Sequence, residues 1–412
     1  MMRRARVVVG ASGWPLILAI TAILGTFTVV PLVLSFLDPS TPDNFMAVAG
    51  LSALASVGMV VGYKLPMFAR TSLPQRPVDL QSFQWAARGI FLGYVVVLCV
   101  LAATANSIPL LGALMGAAID EVSESREQFL KARSGWAISF VYLHAILAGS
   151  LVPYAIAGYF AHRLCGRFVA LAGFLFGCVL FAEKAFFLKA IIPIGAVAWR
   201  RGRWAHILAM AAATTACLML LAVITMRKMP GTVSGDQSLT PSEYFSSTHA
   251  AQMATSPTDF MLWRTIAVPL FTTADSLSTF SEVYGSRYFL GATSSLVAGI
   301  SGQERVQFER SVFEFEWGQN ATGTGSANSI FFIEAFVNFG IPGVVAFSII
   351  AGACLGFLAR SPDSALTALW PLYLFAIYCG GLIGTLFSNG FVAVVIVSLF
   401  VRSPRGVRGT VR

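Results

Sequence analysis

Residues 7–36 read VVVGASGWPLILAITAILGTFTVVPLVLSF, thirty positions without a charged side chain. A helix of that length rises about 45 Å, more than the roughly 30 Å of a bilayer's hydrocarbon core. The apolar positions are continuous rather than alternating, which argues for a spanning helix and against a barrel strand. The six residues ahead of the run carry Arg3, Arg4 and Arg6. A basic flank followed by apolar residues also begins a signal peptide, but this run is too long and no small-x-small cleavage site follows. The stretch reads as a first membrane helix with its amino terminus in the cytoplasm.

The rest of the chain repeats that pattern. Of 412 residues, 56% are hydrophobic and 11% charged, and the mean hydropathy is +0.74. A soluble domain carries about 25% charged residues, so this chain cannot cover a water-facing surface. Further apolar runs lie near 45–62, 88–104, 135–158, 168–182, 188–199, 204–226, 330–357, 364–387 and 390–401. The sequence therefore predicts an all-α polytopic membrane protein with about ten transmembrane helices, 1–412 forming a single integral membrane domain. The runs 168–182 and 188–199 are too short to cross alone, so their hairpin tip, with Glu183, Lys184 and Lys189, is expected to sink into the bundle.

Charge sets the orientation. Placing 1–12, 62–88, 160–168, 199–205, 358–364 and 402–412 inside collects 17 of the 28 Lys and Arg there, with Asp79 and Asp363 as the only acids. That is the positive-inside pattern. It puts both termini in the cytoplasm and a large loop, 227–328, outside, between helices 7 and 8 and ahead of the last three spans. A second outer segment, 105–134, holds Arg126, Lys131 and Arg133 among acids, the pattern of a solvated face. Phe260–Phe271 and Tyr288–Ile300 are apolar, aromatic pieces of the large loop and read as interfacial helices. The net charge of +9 is spent on topology, so no nucleic-acid partner is expected. The six cysteines form no CxxC or Cys/His cluster, and the four histidines are scattered, with His249 alone in the large loop. Neither a metal nor a cofactor is expected.

Loops held by a rigid scaffold tend to carry binding sites. Arg264 sits in FMLWRTIAVPLF and Arg287 in YGSRYFLG. A guanidinium in apolar surroundings suits a bidentate oxygen ligand such as pyrophosphate, although it can also snorkel to lipid headgroups. GQNATGTGSANSIFFIEAFVNFGIPG, 318–343, begins as a glycine loop and enters a helix near Asn328 or Ser329, where backbone N–H groups suit a phosphate or a sugar hydroxyl. Glu334 lies about five residues into that helix, with Asn338 one turn on. An ionisable residue inside a span is a functional candidate, or else a structural ion pair or cap. Gly340 and Gly343 are expected to serve close helix packing. Lys184 and Lys189 are candidates for a lipid-linked phosphate, or for snorkelling.

Two segments resemble the bacterial oligosaccharide repeat unit polymerases of the Wzy type. In one, Arg264 opens an apolar stretch and Phe289-Leu290-Gly291 follows. In the other, Glu334, Phe336, Asn338, Phe339, Gly340 and Gly343 look like the family's Glu-x-Tyr/Phe-x-Asn-Phe-Gly-x-x-Gly element. The related O-antigen ligases carry a His at the corresponding helix entrance, and Ala327-Asn328-Ser329 has none. The resemblance implies a GT-C-like, metal-independent glycosyltransferase of the bacterial inner membrane. It would join undecaprenyl-pyrophosphate-linked oligosaccharides at the periplasmic face into O-antigen, capsule or exopolysaccharide, with no cofactor. A chain-length regulator and the membrane lipids would be its further partners. The site it implies has Glu334, Arg264 and Arg287 as catalytic residues and Lys184, Arg126, Asn338, Asn328 and Ser329 as substrate-binding residues. The alternatives are an O-antigen ligase-type enzyme and a membrane transporter or flippase. Against the latter stand the missing internal repeat and the polar mass gathered on one face.

Overall fold

The computed structural model describes residues 13–37, 44–65, 80–115, 125, 129, 133, 135–180, 186–226, 256–317, 325–327 and 329–401. All regular structure among them is helical. In chain order the helices are α1 (Trp14–Leu37), α2 (Asn44–Lys64), α3 (Leu80–Ala103), α4 (Pro109–Leu114), α5 (Ala137–His162), α6 (Arg167–Leu180), α7 (Leu188–Arg200) and α8 (Trp204–Met226). Then come α9 (257–282), α10 (Ser295–Ser301), α11 (Phe308–Trp317), α12 (Phe331–Arg360), α13 (Ser364–Tyr378) and α14 (Phe391–Phe400). Each of the ten apolar runs coincides with a helix. Five of these helices, α1, α2, α3, α5 and α12, are long and apolar enough to cross a membrane.

Proline shapes three of the long helices in the same way. A π turn at Gly25–Val29 precedes Pro31 in α1, one at Leu147–Leu151 precedes Pro153 in α5, and one at Trp263–Ala267 precedes Pro269 in α9. Proline has no N–H and its ring crowds the carbonyl four residues back, so a widened turn relieves both problems. The freed carbonyls find other donors. Phe27 O accepts from Ser52 Oγ at 3.0 Å, and Thr265 O from the Tyr378 hydroxyl at 3.4 Å.

The chain packs as two compact units. The first comprises Met1–Phe68, Ala211–Gly356 and Leu374–Leu382; the second comprises Ala69–Met210, Phe357–Tyr373 and Ile383–Arg412. In the first, α2 and α12 meet through glycines. A Cβ on Gly58 would stand 2.6 Å from Ser348 Cβ, one on Gly62 would overlap the Ile349 carbonyl, and one on Gly352 would overlap the Met59 backbone. Gly58 and Gly62 form a GxxxG pair, as do Gly352 and Gly356, the spacing that lets membrane helices approach closely. In the second unit Gly158 makes room for the Phe83 ring and Gly177 for the Tyr94 hydroxyl. There the Tyr154 hydroxyl bridges Asp363 Oδ2 at 2.6 Å and the Val401 carbonyl at 2.9 Å.

The helix α12 is broken near its start. Gly340 takes φ 66°, ψ −156°, a conformation open to glycine, and Pro342 follows. Pro342 cannot donate to the Asn338 carbonyl, which instead accepts from Leu290 N at 3.0 Å, while Val337 O accepts from Phe289 N at 3.1 Å. The break thus fastens the 288–294 segment to α12. That segment is a looped connection, and α10 begins only at Ser295, so the helix expected over Tyr288–Ile300 is confined to its end.

Candidate functional site

The helix α9 is longer than its apolar core foretold. Beyond Phe271 it continues through TTADSLSTFSE to Glu282. Ser and Thr are modest helix formers, yet here Thr273, Ser276, Thr279 and Ser281 each donate to the carbonyl four residues back. Their hydroxyls are therefore satisfied within the helix, which lets a polar helix pack. Asn44 Nδ2 donates to Ser278 Oγ at 2.7 Å, and the Phe45 and Phe271 rings meet edge to face at 5.2 Å, seating α9 against α2.

Arg264 lies in the π turn of α9. Its side chain keeps solvent access yet has protein close around it. That crowding lowers its pKa, and the Glu316 carboxylate and the Cys379 thiol oppose the shift. Asp275 stands eleven residues on, about three turns along the same face. It is half-buried, and its carboxyl is pushed up to about 7, first by burial and then by the charge of Glu316. Glu316 comes from α11, where both its oxygens face the Thr272 hydroxyl at 3.3 and 3.4 Å. Arg264, Thr272, Asp275 and Glu316 thus form one strip, a cation at one end and two carboxylates at the other.

Glu334 occupies the first turn of α12, where a helix amino terminus favours a carboxylate. Its carboxyl group lies against Gly381: a Cβ there would stand 2.6 Å from Glu334 Cδ. Gly381 is two residues beyond Cys379, the thiol that interacts electrostatically with Arg264. The segment 379–381 therefore has the Glu334 carboxyl against one end and lies within electrostatic reach of Arg264 at the other. Beside it the Tyr378 hydroxyl, its one proton shared with Thr265 O, lies 2.9 Å from Thr26 Oγ1.

Asn338 is fully buried, and its amide is committed to architecture. Oδ1 accepts from Gly291 N at 2.8 Å, while Nδ2 donates to Thr293 Oγ1 at 2.8 Å and to the Glu334 carbonyl at 2.7 Å. Gly340 and Gly343 do not pack against a second helix as expected: Gly340 is the hinge of the break beside the Tyr288 ring, and Gly343 makes room for the Ala335 carbonyl and Phe339 of its own helix. Ser329 is buried two residues ahead of α12. Arg287 is exposed in the turn after α9. The Ser286 amide closes back onto Phe280 O at 2.9 Å, which leaves Arg287 near that helix end. Sixteen residues separate Arg264 from Phe280, about 24 Å of rise, so the two arginines cannot grip one phosphate. Arg126, Lys184 and Asn328 lie outside the described residues, as does His249. Lys189 holds its ammonium 3.9 Å from the centre of the Phe186 ring.

No group of three or more His, Cys, Asp or Glu among the described residues is placed to hold a metal ion. No family model, curated protein or solved structure matches this chain. Sequence reading missed Asp275 and Glu316. The spacing of Arg264 and Asp275 on one helical face was available to it; the arrival of Glu316 from a helix some forty residues later was not.

Proposed function

We propose that the chain is an integral membrane glycosyltransferase that polymerises lipid-linked oligosaccharide repeat units, with ten spans, a GT-C-like architecture, both termini in the cytoplasm of a bacterium and the 227–328 loop in the periplasm. The observation that supports this reading is the meeting of Arg264 and Glu334 at the two ends of 379–381, beside a carboxylate pair. Catalysis of this transfer needs a base for a hydroxyl and a cation for a leaving pyrophosphate. Glu334 accepts the proton of the acceptor sugar's hydroxyl. The hydroxyl oxygen bonds to the anomeric carbon of the growing glycan as the bond from that carbon to the pyrophosphate oxygen breaks. The carrier leaves as undecaprenyl pyrophosphate, its new negative charge met by Arg264. Two substrates bring two pyrophosphates, and Arg287, in the turn beyond the far end of α9, takes the acceptor's. Ser329, with the neighbouring glycine loop, and the cations Lys184 and Arg126 assist binding, and a chain-length regulator is a further partner. The Asp275 carboxyl, its pKa pushed up to about 7 by burial and by the charge of Glu316, is partly protonated near neutral pH, which limits its repulsion of the arriving pyrophosphate.

Deletion of the gene in its host, with complementation, tests this reading on a gel of surface glycolipids. A polymerase leaves a single repeat on the lipid core in place of a ladder. Polymer retained on its carrier but missing from the core indicates a ligase. An unchanged ladder, with capsular and extracellular polysaccharide also unchanged, overturns both.

A further inference from the structure

In the second unit two helix ends lie together. The helix α5 ends at His162 and α7 at Arg200, and both close with the same backbone device: Leu164 N bonds Tyr159 O at 3.0 Å, and Arg203 N bonds Ala198 O at 3.0 Å. Such closures place one residue in the left-handed region, where glycine is favoured. After α7 that residue is Gly202, φ 66°; after α5 it is Arg163, φ 52°. The Arg201 guanidinium donates to the Ala161 carbonyl, stapling one turn to the other. Arg163, Arg167 and Arg203 all act electrostatically on Arg201, whose pKa is lowered by burial and then by these three like charges.

Helix carboxyl ends attract cations, which accounts for Arg200 and Arg201, bonded to the carbonyls of Ser364 and Ala161. It does not account for three further arginines crowding the same place, one of them in a backbone conformation that costs any residue with a Cβ. The nearby acid Asp363 is 2% exposed and already accepts from Tyr154 and from the amides of Ala365 and Leu366. The cluster has a strongly aromatic rim. Arg167 lies 4.9 Å from the exposed Phe168 ring and 6.0 Å from Phe160, and the exposed Trp199 and Trp204 pack at 5.8 Å. Exposed tryptophans mark the headgroup level of a bilayer, and basic pockets between membrane helices there hold lipid phosphates.

We infer that Arg163, Arg167, Arg201 and Arg203 form a binding site for the phosphate of an anionic phospholipid headgroup, with Trp199, Trp204 and Phe168 seated in the interface around it. The phosphate removes the repulsion among the four guanidiniums, and doubly anionic lipids are held most tightly. The site is independent of the transfer reaction.

Native mass spectrometry of the purified full chain, titrated with cardiolipin, phosphatidylglycerol or phosphatidylcholine, tests the inference. The wild-type chain is expected to retain cardiolipin over phosphatidylcholine at least tenfold. Arg163→Gly should weaken cardiolipin at least threefold, and Arg163→Gly with Arg203→Gln at least tenfold. Thermal unfolding in phosphatidylcholine guards against misfolding, because Arg163→Gly relieves the backbone and should melt no lower than wild type. Equal retention of all three lipids, or undiminished cardiolipin binding by the double variant, overturns the site. Displacement of cardiolipin by millimolar inorganic phosphate overturns it as well, since that identifies a simple anion site.

Discussion

Two aspartates, one in each unit, show how differently this chain treats a carboxylate taken from water. Asp363 is buried and completely met: Tyr154 bonds one oxygen, and the amides of Ala365 and Leu366 bond the other as the cap of α13. Asp275 is half-buried, its carboxylate has no hydrogen-bond or ion-pair partner among the described residues, and it feels the charge of a second acid, Glu316. A satisfied buried group holds a structure together, whereas a carboxyl partly desolvated beside a like charge is retained at a cost to stability and so points to use. The architecture of the second unit depends on Asp363; the chemistry proposed for the first depends on the neighbourhood of Asp275.

The contrast is broken most directly at Asp363. Asp363→Ala removes the cap from the Ala365 and Leu366 amides and leaves the Tyr154 hydroxyl only the Val401 carbonyl, and should lower stability by about 2 to 4 kcal/mol, read by thermal unfolding of the purified chain. An effect under about 0.5 kcal/mol would remove its structural role. Asp275→Asn should act with the opposite sign. The folded state keeps a proton up to about pH 7 that the unfolded chain, with the ordinary aspartate value of 3.8, has already released. Wild-type stability is therefore full below about pH 4, declines up to about pH 7 and is level above it. Asparagine removes that decline, so at pH 8 the variant should be more stable by on the order of 1 to 3 kcal/mol, and equal to wild type at pH 4. The same substitution should flatten a rise in KM for the lipid-linked donor above pH 7. Gly340→Ala, forced into a left-handed φ against the Tyr288 ring, should cost about 1 to 3 kcal/mol. The exposed pair of Arg305 and Glu309, 3.6 Å apart, gives the smallest effect: Arg305→Ala should change stability by less than about 0.5 kcal/mol.

Much of the helical architecture was legible because membrane helices are apolar all round, so a run of hydrophobic residues alone locates them. The contact of α2 with α12 was also written in the sequence, in the paired GxxxG spacings at Gly58, Gly62, Gly352 and Gly356. Its signal passed unread beside the more conspicuous Gly340 and Gly343. The far half of α9 was hidden because its Ser and Thr hydroxyls bond within the helix, something composition does not display. The candidate site was legible one residue at a time. Arg264 and Glu334 stand out as ionisable groups in apolar stretches, but their convergence on 379–381 is a property of packing. So is the closure of the Ser286 amide onto Phe280 O, which leaves Arg287 at the far end of a helix that rises about 24 Å from Arg264 to Phe280. Asn338 shows the reverse case: a polar residue that reads as a substrate ligand and is consumed by clamping the 288–294 segment.

The central claim is that Glu334 removes a proton while Arg264 receives the leaving pyrophosphate. Its most direct measurement uses the purified chain in lipid vesicles, supplied with the lipid-linked repeat that accumulates in the deletion host, and follows formation of the carrier-linked dimer. Wild type is expected to form the dimer. Glu334→Gln should form it at least ~100-fold more slowly, with donor binding within about twofold of wild type. A wild-type chain that forms no dimer, or a Glu334→Gln chain that forms it at the wild-type rate, contradicts the account.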